Sequence, residues 1–236
     1  MHNVKDTILK SLLVTLSIFL WSCASSGAAN KTTATEKKES YQMIQEEKQL
    51  LLENTFKEML ATIKRGVAPD SLLPYITEES RYWLDDLEQA ALTESSEMVS
   101  ARSFHEILAI LSYRLFQREH LYKTEQYRML YLITAKKGIL ELVTSLPLGP
   151  FEVKNDRGSL GLAKSPKVPV ILFVWDDISW RMDLKNSIPL ITKGLESIGV
   201  KKDWSNTELA LYLLEKEFRY DFRNIDKSLL DPVPSI

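Results

Sequence analysis

The sequence predicts an α+β fold in which helices precede an antiparallel sheet and further helices follow it. Apolar residues recur every three to four positions from Tyr41 to about residue 148, alternate at every second position over 151–185, and return to helical spacing over 186–220. Runs of strands flanked by runs of helices build an α+β domain, not alternating βαβ units.

The helical half divides at its own stop and start signals. Tyr41 to Lys64 carries Ile44, Leu51, Leu52, Phe56, Met59, Leu60 and Ile63 as a stripe, and Gly66 with Pro69 ends it. Asp70-Ser71 offers a cap to a short helix holding Leu72, Leu73 and Tyr75, with Pro74 near its first turn. Thr77, followed by Glu78, Glu79 and Ser80, caps a helix through Tyr82, Trp83, Leu84 and Leu87. From Ser103 to Phe116 the stripe is Phe104, Ile107, Leu108, Leu111 and Leu115, and Glu125 to Ala135 repeats the logic with Tyr127, Leu130, Tyr131 and Ile133.

Beyond Gly149-Pro150 the period changes. Phe151 to Lys154 alternates, Asn155 to Gly158 suits a turn, and Ser159 to Lys164 follows through Leu160 and Leu162. Val168 to Trp175 is rich in branched and aromatic residues, as a buried strand requires. Asp176-Asp177 turns the chain into a strand from Ile178 to Leu184, with Ile178, Trp180, Met182 and Leu184 on one face. Short turns pair consecutive strands antiparallel. Asn186-Ser187 then caps a helix through Ile191 and Leu195 that tolerates Pro189 in its first turn, and Trp204-Ser205-Asn206 caps a last one reaching Tyr220.

The first 22 residues have a different build. Lys5 and Lys10 precede an apolar stretch from Leu12 to Trp21, which stops short of the ~20 residues a bilayer span needs. The stretch closes on Leu20-Trp21-Ser22-Cys23, the chain's one cysteine. Residues 1–22 resemble a bacterial lipoprotein signal peptide. That resemblance implies cleavage before Cys23, acylation of its sulfur and new amino group with palmitate and related chains, and a membrane-anchored, exported protein of the cell envelope. Two or three chains hold a protein where one binds only marginally. An ordinary secretory signal cut after Ala24 or Ala29 is the competing reading. Ala24, where an aspartate would retain the protein at the inner membrane under the enterobacterial sorting rule, favours the outer membrane. Residues 24–40, ASSGAANKTTATEKKES, contain nothing large and apolar and predict a flexible tether. The organisation is then signal 1–22, lipidated cysteine and tether 23–40, and one α+β domain over 41–236.

Composition narrows the function. The chain sets 30 Lys and Arg against 32 Asp and Glu; the signal removes Lys5, Lys10 and Asp6, so the mature net charge is −3. No basic stripe with interleaved aromatics occurs, which argues against a nucleic-acid partner. With one cysteine there is no internal disulfide, and stability rests on packing.

The run Phe173-Val174-Trp175-Asp176-Asp177-Ile178-Ser179-Trp180-Arg181-Met182-Asp183 resembles the last hairpin of nuclear transport factor 2-like cone domains. The likeness spans Val168 to Leu195, and implies a curved antiparallel sheet wrapped around a helix, with a pocket that relatives use for hydrolysis, isomerisation, ligand capture or dimerisation. The helical part is longer than a minimal cone domain, and further helices follow the last strand. Fold does not choose among these functions.

The residues themselves supply few reactive constellations. There is no HExxH, no paired cysteine and no clustered histidine, so no metal site is expected, and no GxSxG elbow or glycine-rich phosphate loop occurs. No cofactor is implied. Asp85-Asp86 suits a solvated helix face and Asp176-Asp177 a turn. The pocket candidates are Asp183 and Arg181, which alternation places on the sheet face opposite Trp180 and Met182, and His105, whose neighbour Glu106 points about a hundred degrees away on a helix. Tyr82, Trp83, Tyr113, Phe116, Tyr122, Tyr127 and Tyr131 line either a core or a cavity. The sequence thus predicts a membrane-anchored lipoprotein whose non-catalytic domain binds a protein partner or copies of itself. The alternative is a pocket protein: a carrier of a small apolar ligand, or a small hydrolase or isomerase using Asp183 or His105.

Overall fold

A computed structural model describes the backbone of residues 33–134 and 138–233, with side chains from residue 44 onward. Residues 1–32, which include the expected signal and Cys23, lie outside the described residues. Among the described residues, eight helices and one four-stranded antiparallel sheet make up an α+β architecture.

Helix α1, Thr33–Lys64, begins eight residues before Tyr41, inside the stretch expected to be tether. Its second half docks through Leu52, Phe56 and Met59, all buried. Burying each such side chain contributes ~1.5–3 kcal/mol. Ile44 and Leu51, which belong to the same sequence stripe, are exposed on its shoulder. Gly66 ends the helix as the sequence predicts: its φ of 65° is the left-handed cap, and its N–H donates to the Ile63 carbonyl at 3.0 Å. Pro69–Tyr75 then forms a 3-10 helix capped by Ala68, not by Asp70. Pro69 has no N–H to satisfy, so the turn can start there.

Helix α2 spans Glu78–Thr93, and Thr77 Oγ1 accepts from Ser80 N at 3.2 Å, the predicted cap. A short α3, Ser96–Ser100, leads to α4, Phe104–Arg118, where Ser103 and Glu106 form a capping box. Helix α4 is the centre of the helical layer, with Ile107, Ile110, Leu111 and Leu115 fully buried. Helices α5, Arg128–Thr134, and α6, Ile139–Thr144, complete this half. Tyr127 precedes α5 with a φ of 54°, so the helix starts later than the spacing from Glu125 suggests.

Strands β1 (Leu148–Lys154), β2 (Arg157–Leu162), β3 (Ser165–Trp175) and β4 (Trp180–Met182) pair in the order β1-β2-β3-β4. The β1–β2 hairpin turns on two residues, Asn155-Asp156, with Asn155 at φ 57° and Lys154 opposite Arg157. β4 is shorter than its pattern. Ile178, expected on the inner face, is 83% exposed in the turn, and Asp183 leaves the strand to cap helix α7, Leu184–Lys202. This corrects the assignment of the cap to Asn186-Ser187. The N–H of Asn186 donates to Asp183 Oδ1 at 3.2 Å, and Ser187 Oγ instead accepts from Leu172 N of β3 at 2.9 Å. Helix α8, Asn206–Phe218, starts at the capping box of Ser205 and Glu208, and a 3-10 turn at Lys227–Leu230 follows. Among the described residues no helix is long and apolar enough to cross a membrane.

Candidate functional site

Cross-strand partners share a sheet face, so the register sorts the sheet into two surfaces. Val153, Gly158, Phe173 and Met182 form one row, beside the pair Trp175 and Trp180, and this row meets α1. The Phe56 ring lies 5.5 Å from Phe151 and 5.9 Å from Phe173, both edge-on. Trp180 Nε1 donates to the Lys48 carbonyl at 2.8 Å, and the Lys48 ammonium sits 5.4 Å from the Trp175 ring centre while pairing with Asp156 at 2.7 Å. Gly158 makes this fit possible: a Cβ there would fall 2.5 Å from Leu52 Cδ2 and 3.2 Å from Trp180. Leu52, Phe56 and Trp180 therefore fill the apolar face where α1 crosses it.

The opposite face carries Glu152, Ser159 and Leu172 in one row, and Lys154, Arg157, Val174 and Arg181 in the next. An open groove of about 730 Å³ is bordered by residues of both faces, Lys154, Arg157 and Ser159 from this one and Val153 and Phe173 from the other, together with Gln49 of α1. Charges of both signs and a few apolar side chains meet there without enclosure.

The three sequence candidates do not converge. Arg181 stays on this outer face, as alternation predicts, and forms an ion pair with Asp176. Burial opposes ionisation of Asp176, but the N–H groups of Ser179 and Ile178, together with Arg181, hold its carboxyl below the usual range. Asp183 is 4% exposed, and its carboxylate is spent on Asn186, whose Nδ2 donates to Oδ2 at 2.8 Å. His105 lies elsewhere, at the start of α4. Glu196, whose charge acts on it, is in the same α7 that Asp183 opens, thirteen residues on, or roughly 20 Å at 1.5 Å per residue.

Around His105 the residue types of a catalytic triad are present, with the wrong connections. His105 Nε2 is 3.2 Å from Ser103 Oγ, and Ser103 Oγ donates to Glu106 Oε2 at 2.6 Å. A nucleophilic serine gives its proton to the imidazole, which the carboxylate orients. Here the carboxylate takes the serine proton, and the serine caps a helix. Burial pushes the His105 imidazole below its usual pKa, against the raising effects of Glu106 and Glu196. Among the described residues no group of histidine, cysteine and carboxylates is arranged to hold a metal ion.

Of the seven aromatic residues in question, Trp83 and Tyr113 are buried, and Phe116, Tyr122 and Tyr131 pack in one cluster where Tyr113 and Tyr122 lie 5.1 Å apart. Tyr82 and Tyr127 stay outside the core. Sequence reasoning missed Arg114, which is fully buried and donates to five carbonyls: Ala90, Ala91 and Glu94 at the end of α2, and Leu229 and Leu230 in the last turn. A signal was there, since Arg114 follows Ile107 and Leu111 at helical spacing and so stands on the apolar stripe. In comparisons with known proteins, no family model, no curated protein and no solved structure matches this chain.

Proposed function

We propose that this chain is a bacterial envelope lipoprotein, anchored by acyl chains on Cys23, whose domain is a non-catalytic binding module. The apolar face of the sheet, filled where α1 crosses it, carries this reading. A carrier or cone-type enzyme keeps that space open for its ligand, whereas Leu52, Phe56 and Trp180 close it here. The outer face then serves as the docking surface for a protein partner of mixed surface charge, with Lys154 and Arg157 on one row and Glu152 on the next. Outer-membrane placement, following from Ala24, belongs to the same proposal.

The kinship with cone domains is also proposed. It is supported by the irregularities in register between Leu148 and Phe151 and on both sides of Gly161, because bulges bend strands, and by the packing of α1 against the sheet. An experimental structure with a flat sheet would remove it.

Two measurements test the function. Metabolic labelling with a clickable palmitate marks the wild type and not Cys23→Ser, and the variant leaves the membrane fraction; an unlabelled wild type sinks the anchor. A photoreactive amino acid at position 154 gives a crosslinked protein adduct in intact cells, and one at position 97, on α3, does not. Equal adducts at both positions, or none at either, would defeat the docking surface.

A further inference from the structure

Tyr82 and Tyr127 stand over a second cavity, of about 220 Å³, between the start of α2 and the segment before α5. Its floor is apolar, made by Ile76, Leu84, Met129 and Leu130, all buried. Its rim is aromatic and acidic. Tyr82 is 66% exposed and Tyr127 38% exposed, whereas Trp83 and Tyr113 are buried. The Tyr82 hydroxyl donates to Glu78 Oε1 at 2.8 Å, which holds its ring against the rim. Three carboxylates line the space, on Glu78, Asp85 and Glu88, against one cation, Arg81, whose Nη2 donates to the Leu73 carbonyl.

Glu88 sits deepest in this arrangement. Its two oxygens accept from Met129 N at 3.2 Å and from the Tyr113 hydroxyl at 3.4 Å, which fixes its direction. A carboxylate has about four acceptor positions, so it keeps capacity for another donor. The nearby Arg128 pairs with Glu125, lies 5.2 Å from the Tyr122 ring centre, and its charge also acts on Glu88, so Asp85 carries the larger share of free counter-charge.

We infer that this cavity binds an alkylammonium or guanidinium group on a short aliphatic stem, the chemistry of a lysine or arginine side chain. The stem lies on the apolar floor, the cation meets the faces of Tyr82 and Tyr127, and Asp85 and Glu88 supply the counter-charge. A neutral ligand of the same shape would gain the floor and leave the acids unanswered. The inference does not depend on the lipid anchor or on the outer sheet face.

Calorimetric titration of the full chain with butylammonium, agmatine and butanol tests it, beside a short peptide carrying one lysine and its norleucine counterpart. The cations bind at least about fivefold more tightly than butanol, and binding weakens with added salt. Asp85→Asn and Tyr82→Ala each lower the affinity about fivefold at unchanged Tm, since both side chains are exposed. Preference for the lysine peptide over butylammonium identifies a polypeptide as the source, and equal affinity identifies a free amine. Butanol binding as tightly as butylammonium, no cation binding, or full affinity in both variants overturns the inference.

Discussion

Arg114 stands where an apolar stripe calls for a leucine, and the structure uses its charge in place of apolar bulk. The last carbonyls of a helix have no partner within the helix. Arg114 answers three of them at the end of α2 and two more in the final turn, so one planar fork ties residues 90–94 to residues 229–230. Burial pulls its pKa down, with Asp231 and Glu94 opposing. Arg114→Met keeps the bulk and orphans the carbonyls. It should cost ~3 kcal/mol, which lowers Tm by about 10 °C in a domain of this size. A variant within 2 °C of wild type, about what 1 kcal/mol would move, contradicts the clamp.

His105 makes a separate prediction in pH. Its imidazole is held below the usual 6.5 by burial beside Trp83 and Ser103, with Glu106 and Glu196 raising it in part. The unfolded chain therefore takes up more protons than the fold as pH drops below about 6.5, and stability falls. The carboxylates whose pKa values are lowered, Glu94, Glu106 and Asp176 among them, add to this loss only at lower pH, as they titrate below their ordinary values. Urea midpoints measured between about pH 7.5 and 5 should decline more steeply for wild type than for His105→Gln. Parallel declines would show that His105 titrates in the fold as it does in the unfolded chain.

Helix starts were legible because a cap is a local event. Thr77 and Ser205 accept from N–H groups three residues on, and the N–H of Ser103 donates to Glu106 Oε2, also three residues on. Of the two misassigned caps, the one before α7 is instructive. Asn186-Ser187 has the right residue types, but Ser187 Oγ is claimed by Leu172 across the sheet, and Asp183 takes the cap. No local pattern reveals a competitor fifteen residues away. β4 ends there as well: the Asp183 N–H still donates to the Leu172 carbonyl of β3 at 2.9 Å, and the chain turns into α7 at the next residue. Asp183→Ala should cost about 1 kcal/mol, and Asp183→Asn should cost little. Equal losses for the two would mean that charge rather than capping matters at this position.

Between elements, the contact of α1 with β2 depends on the absence of a side chain at position 158. Gly158→Ala drives a Cβ toward Leu52 and Trp180 and should destabilise by about 1–3 kcal/mol. Adding Leu52→Val shortens the opposing side chain, so the double variant should lose less than the sum of the two. Strict additivity, read from denaturation midpoints, would place the strain elsewhere.

At the scale of the molecule, the chain closes on itself at its C-terminal end. Asp231 Oδ1 accepts from Ser96 N at 3.1 Å, Arg118 donates to the Arg223 and Asn224 carbonyls, and Leu229 and Leu230 are buried beside Arg114. Removing residues from 226 onward should destabilise at least as much as Arg114→Met, and adding that substitution to the truncated chain should cost less than it does in the full one. Equal cost in both backgrounds, measured by thermal unfolding, would mean that the tail does not work through Arg114.

The sequence by itself determined the α+β class, the turns and most helix starts, because periodicity and capping are set by residues a few positions apart. It also marked Tyr82 and Tyr127 among the aromatics without distinguishing them from Trp83 and Tyr113. Only the tertiary structure decided which of those rings face solvent, that α1 fills the apolar side of the sheet where it crosses, that Asp183, Arg181 and His105 stand apart, and that a charged arginine occupies the core. Each of these depends on which distant segment arrives opposite a given side chain, and burial and partner choice are properties of that meeting.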